Sequence, residues 1–443
     1  MPAQSQSAMA RPLPFAPRPV PLSPTLAVNE ALARKRGQGV RVLPLGFGEA
    51  GIPIHPALAR ELGTAAGRGA YGPVAGSPAL RAAAAGYWAR RGLPTDPSVV
   101  VCGPGSKPLL FALLMSIGGD VAVPAPSWVS YAAQTALAGA EPVRVATPPG
   151  EGGVPSPALL ADAVVRARSR GRTVRAVIVT LPDNPTGTIA SEDTVRRLCA
   201  VARELDLVVI SDEIYRELVH APGRAVPSPA RFAPERTVVT TALSKHLAAG
   251  GWRLGVARLP DGPFGHALRA SLLGVASEIW SSAPAPMQHA AAYAFAEPPE
   301  LVEHVDRSRR LHAAVTGAVA ERFAAAGAAV TRPEAAFYVY PDLGPLRGGL
   351  RAEHGVRTSA DLAALLLERY GVGVLPGSAF GDAPEALRVR VASSLLYGED
   401  DERRLAALAS PAPAALPWIA RGLDRLSEVL ADLAAPASAP VPV

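Results

Sequence analysis

Cysteine is nearly absent from the 443 residues, with Cys102 and Cys199 the only two. Two thiols exclude a disulfide framework and any all-cysteine zinc site. Long apolar runs are missing as well. The longest lies around Leu109–Met115, far short of the ~18 residues that a membrane-spanning helix needs. Aromatic residues make up only 5%, too few for base-stacking platforms on a nucleic acid. Neither sign of charge dominates: 44 Lys+Arg face 38 Asp+Glu, a net charge of +6. A nucleic-acid partner, an anionic small ligand or an Arg-rich coding bias would each account for that excess. The abundance of Ala, Pro, Gly and Arg assigns most of it to the bias, so no nucleic acid and no membrane are expected as partners.

What is present suits a large folded chain. Hydrophobic residues are 49% and charged residues 19%, which permits a sizeable core and argues against global disorder. At ~100–200 residues per domain, the length predicts two or three domains, or one large α/β domain with an appended lobe. Seven prolines from Pro2 to Pro24 predict an extended or disordered arm over 1–24. The arm has no continuous apolar stretch of the secretory kind, and a cytoplasmic location is expected. A second Ala/Pro-rich tail begins at Ala435. No internal repeat of ~20–50 residues is visible.

Between the tails, apolar strand-like runs alternate with helical patterns. Strands are expected at Val99–Cys102, Val121–Val123, Pro142–Val145, Ala176–Thr180, Leu207–Ser211 and Thr237–Thr241. Helices are expected at Ser106–Ile117 and at Glu192–Leu205, the latter capped by Ser191 with Glu192 and Asp193 in its first turn. Continuously apolar strands alternating with helices predict a mostly parallel sheet covered on both faces. Beyond Leu301 a long helix is expected at Arg307–Phe323, then strands at Phe337–Pro341, Gly373–Leu375 and Arg388–Ala392 in a smaller lobe, and a helix at Arg421–Leu433.

In open α/β sheets ligands bind beyond the carboxyl ends of the strands, which directs attention to five stretches. Gly103-Pro104-Gly105-Ser106-Lys107 joins a strand to a helix. Its glycines admit close backbone approach, and free N–H groups at the helix start favour an anion. It is neither a Walker A loop nor G-x-G-x-x-G, and a tight structural turn accounts for it equally well. Trp128 either fills the core or stacks on a flat ring. Asp183-Asn184-Pro185-Thr186-Gly187 is a turn by composition. Asp212 follows a buried strand and needs a partner, either a structural arginine or a cationic ligand. Lys245 ends the next strand, where burial would lower its pKa and yield the nucleophilic amine that a Schiff base requires.

Taken in order, these stretches resemble the fold-type I pyridoxal-phosphate enzymes, in particular the class I/II aminotransferases of the aspartate aminotransferase family. The matching segments are Gly48-Glu49, Tyr71–Gly76 with Leu80-Arg81, Pro126-Ser127-Trp128, Asn184–Gly187, Ser211–Tyr215, Ser244-Lys245, Gly251–Gly255, Pro376–Phe380 and Arg388 before Ala392. The resemblance implies a mostly parallel seven-stranded sheet sandwiched by helices, plus a smaller α+β domain. It divides the chain into the arm at 1–24, a segment at 25–60 joining the small domain, a large cofactor domain at 61–310, the small domain at 311–434 and a tail at 435–443.

The resemblance also implies roles. Lys245 would form the Schiff base with pyridoxal 5′-phosphate and move a proton at the substrate α-carbon. Asp212 would pair with the pyridinium nitrogen, and Asn184 and Tyr215 would hydrogen-bond the 3′ oxygen. Trp128 would stack on the ring. Gly105, Ser106 and Lys107 would offer backbone amides to the phosphate, with Arg253 adding a charge-assisted contact and Ser244 supplying a hydroxyl. Tyr71 would reach the phosphate of a neighbouring subunit, making the enzyme a homodimer with shared sites. Arg388 would clamp the substrate α-carboxylate, with Gly48 beside it and Asn184 and Trp128 also facing the substrate. The substrates would be an amino acid and a 2-oxo acid.

Three departures from the family pattern stand out. Ala242 replaces the usual Gly or Ser three residues before the lysine, where Ser244 or Thr241 could supply the missing hydroxyl. Ala50-Gly51 replaces the usual Pro-Asp. Arg390 follows Arg388 two residues later, on the same strand face, and rivals it for the carboxylate; Arg388 is preferred. Transamination is the expected reaction, with β/γ-elimination, replacement, cyclisation or amino-acid oxidation as alternatives. A ligand-sensing domain of a transcription regulator would need a winged helix ahead of the fold, where this chain is short and proline-rich.

Overall fold

Seven short apolar stretches form one sheet in the computed structural model, which describes residues 20–434. They are β1 (Val100–Gly103), β2 (Asp120–Ala125), β3 (Pro142–Ala146), β4 (Val174–Thr180), β5 (Val208–Asp212), β6 (Thr237–Ala242) and β7 (Gly255–Arg258). Their order is β1-β7-β6-β5-β4-β2-β3. All neighbours are parallel except β7, which runs antiparallel to both β1 and β6. The alternation of side chains explains why the strands are apolar throughout. Val121, Val123, Ala176, Ile178, Val208 and Ile210 enter one core, while Ala122, Val177, Val179 and Val209 enter the core on the other face.

The six strands expected from the sequence are present, shifted by one or two residues at their ends. The resemblance implies seven strands, and the seventh, β7, is the one that no apolar run in the sequence marks. Its four residues follow a glycine-rich loop and are too few to register as an apolar run. Helix Ser106–Ile117 lies where it was expected, and the helix after Ser191 ends one residue earlier, at Glu204. The Ser191 hydroxyl accepts the Thr194 N–H at its start.

The smaller lobe has a core of its own. Helix Pro299–Ala325 contributes Leu311, Val315, Val319 and Phe323, and helix Pro417–Ala434 contributes Ile419, Leu423, Leu426, Leu430 and Leu433. Both helices begin on a proline, upstream of the starts expected at Arg307 and Arg421. A first-turn proline loses no intrahelical hydrogen bond. The division expected at residue 310 falls inside the unbroken first helix. Four short strands follow: β8 (Tyr338–Val339), β9 (Val372–Gly373), β10 (Leu375–Pro376) and β11 (Val389–Ala392). β11 lies antiparallel between β10 and β8, and β9 pairs with Leu43–Pro44 from the other end of the chain. Helix Pro24–Gly37 adds Val28 and Leu32 to a cluster with Leu375 and Phe380. Most of the proline-rich stretch and the whole 435–443 tail lie outside the described residues. Among the described residues no helix is long and apolar enough to cross a membrane.

Candidate active site

A cavity of about 550 Å³ opens at the carboxyl end of the sheet, between the two lobes. Its floor is set by the ends of neighbouring strands. Asp212 closes β5 and is buried. The Tyr131 hydroxyl donates to its Oδ2 at 2.9 Å and the Thr240 hydroxyl to its Oδ1 at 3.3 Å. No basic side chain pairs with it among the described residues, and burial pushes its carboxyl up to about 6. Glu213, the adjacent acid, is held by Arg216 at 2.5 Å and by the Ser211 and Ser228 hydroxyls. Of the two acids at this strand end, only Asp212 therefore lacks a fixed counter-charge and faces the cavity.

Lys245 projects into the same space after β6, and its Nζ donates to the Gly48 carbonyl at 2.5 Å. Burial, reinforced by Arg390, pulls its amine down to about 8. Asn184 Nδ2 lies 3.5 Å from the Tyr215 hydroxyl, which lies 2.8 Å from the Tyr338 hydroxyl. Trp128 lines one wall, edge-on to Tyr131, with Lys107 Nζ 5.1 Å from the centre of its indole.

The strand-to-helix turn supplies an anion cradle. Gly105 sits at φ +99°, and any Cβ there would collide with the Arg253 guanidinium. Only glycine therefore lets Arg253 lie across the first turn of helix Ser106–Ile117, whose N–H groups are unsatisfied by the helix itself. Ser106, Lys107, Ser244 and Arg253 line the cavity beside that turn. Ala242 and Thr241 are both buried within β6, and of Ser244 and Thr241 only Ser244 lines the cavity.

The opposite wall carries Arg390. It is buried, donates to Asn184 Oδ1 at 3.3 Å and to the Gly46 carbonyl, and leaves its Nε without a partner. Its guanidinium lies over the rings of Tyr338 and Phe380.

The family model for "Aminotransferase class I and II" matches residues 45–395. The chain belongs to this family. It is an aminotransferase, and the class I and II aminotransferases work with pyridoxal phosphate. The chain is 34% identical over 364 residues to the aspartate/prephenate aminotransferase of Thermus thermophilus, covering 81% of this chain and 89% of that one. It is 32% identical over 384 residues to the aspartate aminotransferase of Geobacillus stearothermophilus, covering 84% and 92%. The solved Thermus thermophilus aspartate aminotransferase with maleate superposes with a TM-score of 0.76 at 29% identity, covering 93% of this chain and 97% of that one.

The residues of the aminotransferase cavity suit pyridoxal phosphate in the chemistry they offer. A buried carboxylate without a cation calls for a protonated ring nitrogen. A buried guanidinium without an anion calls for a carboxylate, and the glycine-opened helix start calls for a phosphate. The cavity gathers Gly48, Ser106, Lys107, Trp128, Asn184, Asp212, Tyr215, Ser244, Lys245 and Arg253 around one space, with Gly105 at its rim. Tyr71 does not reach it and is 89% exposed on the surface.

Arg388, preferred from the sequence, does not line this cavity. Its guanidinium is 40% exposed and pairs with Asp342 at 3.1 Å and Asp382 at 3.2 Å, on the far side of the Asn184 turn. The two acids satisfy it in place, whereas Arg390 has none, so Arg390 replaces Arg388 as the cavity arginine. Tyr131, Thr240 and Tyr338 were not singled out from the sequence. Tyr131 lies three residues beyond Trp128, outside the matching segment, and Thr240 and Tyr338 belong to no motif. Ala50-Gly51 has a packing reason. Gly51 adopts φ +70°, and a Cβ there would run into the Ser394 carbonyl, while the Ser394 hydroxyl donates to the Glu49 carbonyl.

Proposed function

We propose that the cavity binds pyridoxal phosphate and moves an amino group between a dicarboxylic amino acid and a 2-oxo acid. The observation that carries this reading is the pair of uncompensated buried charges, Asp212 and Arg390, that line one cavity with Lys245. Bound there, pyridoxal phosphate supplies an electron sink for the bonds at the substrate α-carbon.

The chain's own residues do the rest. Asp212, held by Tyr131 and Thr240, keeps a proton on the ring nitrogen. Asn184 and Tyr215 hydrogen-bond the 3′ oxygen, and Trp128 flanks the ring. The N–H groups of Gly105, Ser106 and Lys107, with Ser244 and Arg253, hold the phosphate, and Tyr71 reaches it from a second copy of the chain. Lys245, neutral above about pH 8, attaches the cofactor and then carries a proton to and from the substrate α-carbon. Arg390 receives the α-carboxylate beside Gly48.

Four cations line the cavity: Lys107, Lys245, Arg253 and Arg390. The phosphate takes Arg253, the α-carboxylate takes Arg390 and the chemistry takes Lys245. The Lys107 ammonium over Trp128 remains for a second carboxylate. Aspartate and prephenate, named in the relatives above, both carry two. The relatives' names favour transamination over elimination, replacement, cyclisation or oxidation.

A panel of amino donors, with and without a 2-oxo acid, tests the reading. Amine exchange that requires the 2-oxo acid and is fastest with dicarboxylic donors is expected. Release of ammonia or peroxide without an acceptor would overturn it. Lys245→Ala should form no visible chromophore that borohydride can fix to the protein.

A further inference from the structure

Four buried side chains that line the cavity close a ring. The Arg390 guanidinium donates to Asn184 Oδ1. Asn184 turns its Nδ2 toward the Tyr215 hydroxyl. That hydroxyl meets the hydroxyl of Tyr338, the first residue of β8, at 2.8 Å. The ring of Tyr338 lies 4.9 Å from the Arg390 guanidinium carbon, which completes the circuit.

The circuit has a direction. Arg390 can only donate, so it commits the Asn184 oxygen as an acceptor and leaves the amide N–H groups facing Tyr215. Only one of the two tyrosine hydroxyls can donate to the other. A cation over the face of a phenol stabilises its negative form and strengthens it as a donor. Of the two tyrosines, Tyr338 has Arg390 over its ring.

We propose that Tyr338 is a positioning residue: it donates its proton to Tyr215 and so frees the proton of Tyr215 to point into the cavity at the cofactor's 3′ oxygen. The proposal rests on the reading of Tyr215 given above. The charge balance agrees with it: burial pushes both phenols up, Arg390 offsets part of that at each, and Tyr338 and Asp212 add to the rise at Tyr215 alone. Tyr338 thereby links the residue that meets the substrate carboxylate to the residue that meets the cofactor oxygen, from a lobe that contributes no other hydroxyl to this network.

The test is the pH midpoint of the visible absorbance of the protein loaded with pyridoxal phosphate. A donor on the 3′ oxygen favours its negative form and holds that midpoint down. Tyr215→Phe should raise the midpoint by about one unit, and Tyr338→Phe by about half a unit, roughly a threefold change in the proton equilibrium. The double variant should match Tyr215→Phe alone, because Tyr338 acts only through Tyr215. Phe337→Leu, which loosens the packing beside Tyr338 and keeps both hydroxyls, should leave the midpoint where it was. Tyr338→Met, without a hydroxyl and of similar length, gives the same reading should the phenylalanine variant not fold. A midpoint moved by Tyr215→Phe but not by either Tyr338 variant overturns the proposal and spares the site. A midpoint unmoved by Tyr215→Phe overturns both. Additive shifts in the double variant make Tyr338 a direct or packing contributor and also overturn it.

Discussion

Burying an arginine without an acid is costly unless a ligand supplies the anion, and the two arginines of Arg388-Val389-Arg390 differ in just this respect. Arg388 has Asp342 and Asp382, and Arg390 has neither. Arg390→Ala should raise KM for the amino donor by about 10–100-fold, the worth of a charge-assisted contact of ~1.5–3 kcal/mol. Arg388→Ala should leave KM within about threefold, since screened, partly exposed ion pairs contribute little. Steady-state kinetics of the two variants decide the matter, and a larger effect at Arg388 would restore the assignment made from sequence. The distinction was illegible there because residues two apart share a strand face. Only the acids brought up by the turns around 342 and 382 separate them. Lys245, Asp212 and Asn184 were legible because each lies at or just beyond the carboxyl end of an apolar strand, where the fold places ligands.

The lysine makes a pH prediction. Its amine charges near 8 in the folded protein, against 10.5 ordinarily. Only the neutral amine attacks an aldehyde, so the rate at which cofactor-stripped protein captures pyridoxal phosphate should climb with pH and level off above about 8. Arg390 contributes to the lowering, so Arg390→Gln should move that midpoint upward. A midpoint near 10 in the parent protein would mean that burial leaves the amine unperturbed. The shift also affects stability. Between pH 8 and 10.5 the unfolded chain holds the extra proton, so the lysine's unfavourable contribution fades as pH rises through that window.

At the level of elements, strands were legible where apolar residues run together between turn or helix signals, and illegible where they do not. β7 is the case in point, as four residues after a glycine-rich loop carry no pattern. Helix starts were also misplaced where proline opens the first turn, as at Pro299 and Pro417, because proline reads as a breaker until the helix is seen beyond it. The loop through Ala50-Gly51 looked like a gap in the family pattern and is a contact between the N-terminal segment and the turn after β11. Gly51→Ala should cost roughly 1–3 kcal/mol, from a positive φ and a collision with the Ser394 carbonyl. Urea unfolding measures it, and a loss under about 0.5 kcal/mol would show that the loop yields freely.

For the whole molecule, the reading requires a second copy. Tyr71 stands exposed, remote from the cavity of its own chain. If it serves the partner's phosphate, Lys245→Ala and Tyr71→Ala proteins fail for different reasons in different sites. Mixed, unfolded and refolded together at limiting pyridoxal phosphate, they should regain activity that neither has alone. In the hybrid, one site then holds both defects and the other holds none. Absence of any regain would place Tyr71 outside the site. The sequence carried this arrangement only through its resemblance to a family, since no single chain displays a contact between copies.

The sheet order also dictates a schedule. β1 bonds to no strand but β7, and Gly103 pairs with Gly255, 152 residues further along. The middle of the sheet, from β2 to β6, can assemble while the chain is still being made, but β1 cannot join until β7 arrives. The Gly105–Lys107 turn hangs from the end of β1 and is anchored by Arg253, which comes just before β7. The phosphate cradle is therefore among the last parts to form, after the slow closure of a long loop. A nascent chain shorter than about 258 residues has no cradle to offer, so no phosphate can be held there until every strand of the sheet has been made.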